Sequence, residues 1–578
     1  MANGFAAGRQ VRDGNDIGFE APESAHRRAL TVTPPAYGGH SVCGLRASSV
    51  GVRDLERTAI VILLSRIAAI LSAVGACRHR WSAILLPLTG VGRVKSWSEI
   101  GQRRAWRGNG RRNCVAPEGR GAGARLRAGA CAALSLLSYV PGAAMAEEPY
   151  DRLPGLSGPS IAANFPGAFG DPDGMRSALA GRGVTYKVRY IGEASGNPVG
   201  GFAQGATYLG LLDLEVEADL EKALGWKGLK LFANGYQIHG DSISARDLGV
   251  LMPVSHIEAL PSTRLFELYL EQSLFDGGLS LRVGQLAADS EFAVSESGAA
   301  FLNGSFGWPS ILGVNLPDGG PAYPLATPAA RLAFKPNDAM TYLLGIFNAE
   351  PAGDCPDGEL PEKCNPHGLL FPIRSPLLLA ETVYRYNQGE GALAGTLKLG
   401  AWRNFSTFVP ENVGSGGLPI GLTRIPGLAA DNNYGFYAIL DQMIYRVPGA
   451  GDPRGVTLFG TYMTAPPEGN LIQHYFEAGI TLQGLSSARP KDLLGIGFIY
   501  TGVSSQTIDF YRESGYPVIP NFEGVLEVSY TAPIMQGLSV QPDFQYFWNP
   551  GGHTGRPDDP SVPIPNAAVF SLRTTIDY

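Results

Sequence analysis

After residue 146, this chain of 578 residues has no apolar run near 18 residues, the short end of what crosses a bilayer as a helix. That excludes a helical membrane protein for this part. Histidine is scarce there: His239, His256, His367, His474 and His553 are all there are. None sits with a serine in a recognisable element, so the nucleophile and positioned base that hydrolysis needs are missing. Metal-ligand spacings, a nucleotide-binding glycine fingerprint and a nucleic-acid basic patch are also missing. The sequence therefore implies no enzyme, no cofactor, no metal and no nucleic-acid partner.

Lysine and methionine are the scarce residues before that point. Residues 1–146 hold 19 Arg but only Lys95, and no Met lies between Met1 and Met145. With 8 acidic residues this part carries +12, while the remainder carries 26 basic and 44 acidic residues, or −18. Two compositions are joined end to end. At the join stands a signal-peptide pattern. Arg125 and Arg127 precede an apolar stretch over 128–140, then Pro141-Gly142, then the small-x-small site Ala144-Met145-Ala146. A signal belongs at a true N-terminus. Residues 1–120 are therefore expected to be a spurious or disordered upstream extension, 121–146 the signal peptide, and cleavage to follow Ala146. The rival is an inner-membrane helix over 59–76, in which Arg66 would cost roughly 2.5–3.5 kcal/mol.

What the mature part has in abundance is alternation. Residues 570–578, FSLRTTIDY, place Phe570, Leu572, Thr574, Ile576 and Tyr578 on one face, with Ser571, Arg573, Thr575 and Asp577 on the other. Side chains of a strand alternate with period two, so this is a strand with a greasy and a charged face. The pattern recurs. Tyr186, Val188 and Tyr190 alternate with Lys187, Arg189 and, further on, Glu193. Phe266, Leu268 and Leu270 alternate with Glu267 and Glu271, and Leu281 and Val283 flank Arg282. Leu332 and Phe334 alternate with Arg331 and Lys335, Phe476 and Ala478 flank Glu477, and Leu526 and Val528 flank Glu527. Phe544 and Tyr546 alternate with Gln541, Asp543 and Gln545.

A soluble sandwich cannot bury unpaired Glu, Arg and Asp at every strand. No series of amphipathic helices is available to cover the aromatic face instead. A closed barrel satisfies the backbone inside lipid, with apolar residues outward and polar residues toward a lumen. The expected fold is all-β: a transmembrane antiparallel β-barrel of roughly 16 strands over 184–578, behind a lead-in over 147–183. That lead-in has one short helix, near 173–182, at the periplasmic rim or in the lumen. Residues 275–279 and 534–538 read as short periplasmic turns. Residues 287–324, 349–371, 409–430 and 550–565 read as long external loops. Cys355 and Cys364 lie in one of them, close enough to form a disulfide in an oxidising compartment, worth on the order of 2–3 kcal/mol.

From residue 264 to 310 the chain carries a further pattern: Glu267, Arg282, Gly284, then Asp289-Ser290-Glu291-Phe292, then Phe301-Leu302-Asn303 and Phe306-Gly307-Trp308-Pro309. Together with stretches 323–336, 364–368, 433–446, 477–498 and 540–552, it resembles the carbohydrate-selective porin family of Gram-negative outer membranes, the OprB type. The resemblance covers essentially all of 150–578 and none of 1–120. It implies passive diffusion of glucose-type monosaccharides and small polyols into the periplasm. It also implies an outer-membrane location, among lipid and lipopolysaccharide. The strand ending at Tyr578 would present the barrel-assembly machinery with its signal; monomer and homotrimer both stay open. A channel for ions or small organic acids is the alternative.

A sugar needs fixed donors and acceptors at a constriction. Arg offers a rigid fork of five donors, and Asp and Glu accept. The candidate pore-lining residues are Arg189, Glu193, Glu267, Arg282, Asp289, Glu291, Arg331 and Trp308, with the loop after Ala287 folding inward. Mixed signs along the inner faces point to neutral solutes, since an anion pore clusters its cations.

Overall fold

The computed structural model describes residues 154–578, apart from 157, 166, 357, 416, 428 and 450–453. The expected upstream extension and signal peptide lie outside the described residues. Sixteen strands close into one antiparallel barrel in which each strand pairs with its neighbours in sequence and β1 pairs with β16. β1 is Val184–Val199, β2 Gly205–Asp219, β3 Leu229–Gly240, β4 Ser262–Leu274, β5 Leu279–Leu286 and β6 Thr327–Asn337. β7 is Met340–Asn348, β8 Pro376–Tyr386, β9 Gly395–Phe408, β10 Ala430–Arg446 and β11 Gly455–Thr464. β12 is Ile472–Gln483, β13 Leu493–Val503, β14 Phe522–Met535, β15 Leu538–Trp548 and β16 Ala567–Asp577. No helix among the described residues is long and apolar enough to cross a membrane.

Alternation sets which way each side chain points. Val283 and Phe570 are 51% and 56% exposed on the outer wall, while Arg331 and Glu527 are 2% and 0% exposed within. Phe266 breaks the expected pattern. Ala233 pairs with Leu268 and Gly235 with Leu265, so two residues of β4 oppose Asn234 alone. This bulge turns Phe266 inward beside Glu267. The ring is buried, stacked on Tyr236 with centroids 4.7 Å apart.

All the long segments lie at one end of the barrel. The four loops expected from sequence are there, joined by 241–261 and by 504–521 with its helix Ser505–Glu513. The opposite end holds the short turns, including 275–278 and 536–537. At this turn end the lead-in forms the short helix Met175–Gly181 and caps the rim. The Arg176 guanidinium lies 4.3 Å from the ring centre of Tyr186 and 4.8 Å from that of Tyr578. Gly537, at φ +73°, leaves room for the backbone of Ile161, which a side chain there would strike. Cys355 and Cys364 are joined in a disulfide, Cα atoms 5.5 Å apart.

The core sits inside the barrel, at the loop end. Segments 241–261 and 287–326 fold inward, and Leu248, Met252, Phe301 and Phe306 pack against Tyr475, Ile499, Val525 and Phe547 of the inner wall. β13 accommodates them with glycine: a Cβ at Gly497 would lie 2.6 Å from the Phe306 ring. The lumen is thus polar only over part of its height, because buried apolar surface ties the loops to the upper wall.

Candidate functional site

Carboxylates of the inner wall hold the inward loops by accepting backbone N–H groups. Glu267 of β4 accepts from Ala287 at 2.9 Å. Glu381 of β8 accepts from Ala293 at 2.9 Å. Asp441 of β10 accepts from Ser297 at 3.1 Å, and Glu527 of β14 from Asn303 at 3.1 Å. Glu523 of β14 accepts from Leu251 and Met252 at 2.9 and 2.8 Å. Each of these bonds satisfies a buried loop donor that would otherwise go unmet. Within the loop, Asp289 accepts the N–H of Tyr323 at 2.8 Å. Burial pushes the Asp289 carboxyl up to about 6, and that N–H pulls it partly back.

These anchors aim Glu291 at three register-matched wall residues. Glu271 of β4 pairs with Arg282 of β5, and Arg282 with Arg331 of β6. Arg282 Nε lies 2.9 Å from Glu271 Oε2 and its Nη1 3.5 Å from Glu291 Oε1. Arg331 Nε lies 2.7 Å from Glu291 Oε2 and its Nη2 3.5 Å from Glu271 Oε1. Two like charges side by side would repel; two carboxylates placed against both remove the repulsion. The Tyr269 ring sits 4.8 Å from the Arg282 guanidinium. The four charged groups line a cavity of about 400 Å³ between the loop and the β4–β9 wall, together with Thr341, Glu381 and Lys398. Such a volume falls within the range of small-molecule sites. Fixed Arg donors and Glu acceptors can exchange hydrogen bonds with a polyhydroxylated solute without any change of protonation.

Of the eight residues expected to line the pore, three meet at this cavity: Arg282, Glu291 and Arg331. Glu267 and Asp289 hold the loop in place instead. Arg189 lies on the β1–β16 seam, its Nε 2.7 Å from Asp577. Glu193 is buried on the same seam against Arg573, at 2.8 Å. Trp308 belongs to the packed loop, and its indole N–H donates to the Gly319 carbonyl at 3.0 Å. Glu271, which alternation places inward, Glu381, Arg385 and Lys398 also line the cavity, although none is among the eight expected residues. Two of them carry a signal: in LLLAETVYRY, Glu381 and Arg385 share a face at period two.

Among the described residues, no group of three or more His, Cys, Asp or Glu is arranged to hold a metal ion. Residues 203–578 match the sequence profile described as carbohydrate-selective porin, OprB family. Porin B of Pseudomonas aeruginosa is 26% identical over 411 residues, covering 66% of this chain and 87% of that protein. The high-pH structure of Pseudomonas putida OprB has the same fold. It aligns with a TM-score of 0.61 at 21% identity, covering 71% of this chain and 97% of that one. With well over half of its residues matched to that one profile, the chain belongs to the carbohydrate-selective porin, OprB family.

Proposed function

We propose that the protein is an outer-membrane channel through which monosaccharides and small polyols diffuse passively into the periplasm, with no catalytic step. The observation that carries this reading is the Glu271–Arg282–Arg331–Glu291 cluster, fixed on the wall of a cavity beside an anchored loop. Its donors and acceptors are spoken for only in part, so a sugar's hydroxyls can replace water on them. Binding through such shared bonds stays weak, as a channel requires if the solute is to leave. The outer wall, apolar from Val283 to Phe570, suits lipid and lipopolysaccharide. The strand ending at Tyr578 suits capture by the barrel-assembly machinery before β16 closes on β1.

The test is solute entry into proteoliposomes made with the purified protein. Glucose and arabinose are expected to enter well ahead of a trisaccharide. Equal entry of all three, or of none, would overturn the reading.

A further inference from the structure

Cations outnumber carboxylates on one side of the lumen. Across the lumen, Asp213, Glu215 and Glu217 of β2 and Asp577 of β16 are matched by Lys187, Arg189 and Lys230, with Arg189 2.7 Å from Asp577 and Lys230 2.9 Å from Glu217. The cavity on the other side is lined by five cations and three carboxylates. Glu271 and Glu291 neutralise Arg282 and Arg331, which leaves Lys335, Arg385 and Lys398 against Glu381 alone.

Glu381 faces Lys398 diagonally across β8 and β9, and its Oε2 is shared between the Ala293 N–H and the Tyr437 hydroxyl. Lys398 donates to the Val294 carbonyl, an uncharged partner, at 2.8 Å. Arg385 meets Glu296 only at 3.7 Å, through a side chain that is 61% exposed. Lys335 has no carboxylate within ion-pair distance among the described residues.

The register orders these cations along the wall. Lys398 pairs opposite Val383 and Arg385 opposite Thr396, each step nearer the turn end than Glu381 opposite Gly400. From Arg282 and Arg331 downward, the β5–β9 wall is a basic track that ends at the mouth with Lys335 and Arg385. A lumen surface of one sign, bounded by low-dielectric walls, concentrates solutes of the opposite sign. Rings or tracks of Arg and Lys are how a pore selects anions.

We infer that, among sugars, the channel favours those bearing a carboxylate: hydroxyls bond to the arginine–glutamate cluster while the carboxylate follows the excess cations, Lys398, Arg385 and Lys335, toward the turn-end mouth. The inference rests on the sugar-channel reading and names the solute class within it. It goes beyond the expectation of neutral solutes, which follows from mixed signs along single strands.

Uptake of radiolabelled gluconate and glucose into the same proteoliposomes tests it, with potassium salts and a potassium ionophore to relieve charge build-up. At low ionic strength, gluconate is expected to enter about three-fold faster than glucose or more. The ratio should fall toward one in about 0.5 M KCl, where screening shortens the reach of the track. It should fall likewise in the Lys335→Gln/Arg385→Gln variant. Lys335→Gln alone, at an exposed strand end, serves if the double variant does not fold, with a smaller fall expected. A ratio at or below one in the wild type at low salt overturns the inference, and so does a ratio that these substitutions leave unchanged. Failure of both solutes to enter would instead overturn the channel reading itself.

Discussion

Glu193 on the first strand and Arg573 on the last stand directly opposite each other across the seam that closes the barrel. Arg573 Nη2 lies 2.8 Å from Glu193 Oε2, and both residues are buried. Ser255 of the inward segment 241–261 joins them, its hydroxyl 3.1 Å from Glu193 and 2.9 Å from Arg573. One ion pair thus ties the seam to a loop that folds into the lumen at the loop end. Removing one partner of a buried pair leaves the other charge uncompensated, at a cost of about 3–5 kcal/mol. Glu193→Ala or Arg573→Ala is expected to lower stability by that order, and Glu193→Leu with Arg573→Leu by less than the two single changes together. Urea unfolding in detergent micelles measures this. Strictly additive losses would show that the pair is not coupled.

The inner-wall carboxylates give a different expectation. Glu527→Ala leaves the Leu302 and Asn303 amides without their acceptor, and each unmet buried donor costs about 1–3 kcal/mol. The inward loop should loosen, and single-channel records should show larger and noisier conductance. Glu217→Ala breaks an exposed pair with Lys230 and is expected to change stability by at most about 1 kcal/mol. Quiet, wild-type records from Glu527→Ala would mean that the apolar packing alone holds the loop.

Asp289 supplies a pH dependence. Its folded value near 6 lies above the ordinary carboxylate value of 3.8. A raised carboxyl keeps its proton more tightly in the folded state, so its penalty is fully present above about pH 6 and is relieved as pH falls toward 4. About two units correspond to about 3 kcal/mol. Asp289→Asn keeps an acceptor for the Tyr323 amide and cannot ionise. Relative to wild type it is expected to be more stable at pH 7 and to lose that advantage at pH 4. Melting of the two proteins at both pH values checks the sign. An advantage that grows on acidification would contradict it.

Strand positions and facing were legible in the sequence wherever one residue opposes one residue, as at Phe476–Glu477 and Leu526–Glu527. Phe266 departs from its alternation because a bulge is set by the partner strand, where Asn234 faces two residues, and not by β4 itself. The roles of Glu267, Glu381 and Glu527 were hidden for another reason. A carboxylate facing lumen water and one accepting a loop N–H have the same period, and only the path of 287–326 separates them. Phe301 and Phe306 read as aromatics of a loop, although they pack on the glycines of β13. The cation excess of the β5–β9 wall depends on which strands closure sets side by side. Asp213 and Lys398 lie 185 positions apart, and no local pattern says that one wall becomes basic.

The central claim is that the arginine–glutamate cluster handles sugar in transit, and block of single-channel current by glucose in a planar bilayer tests it most directly. Current is expected to fall as glucose is added, to be unaffected by an inert solute of equal size, and to be blocked less in Arg282→Ala. Current that stays unblocked at saturating glucose, with the pore open and stable, would contradict the account.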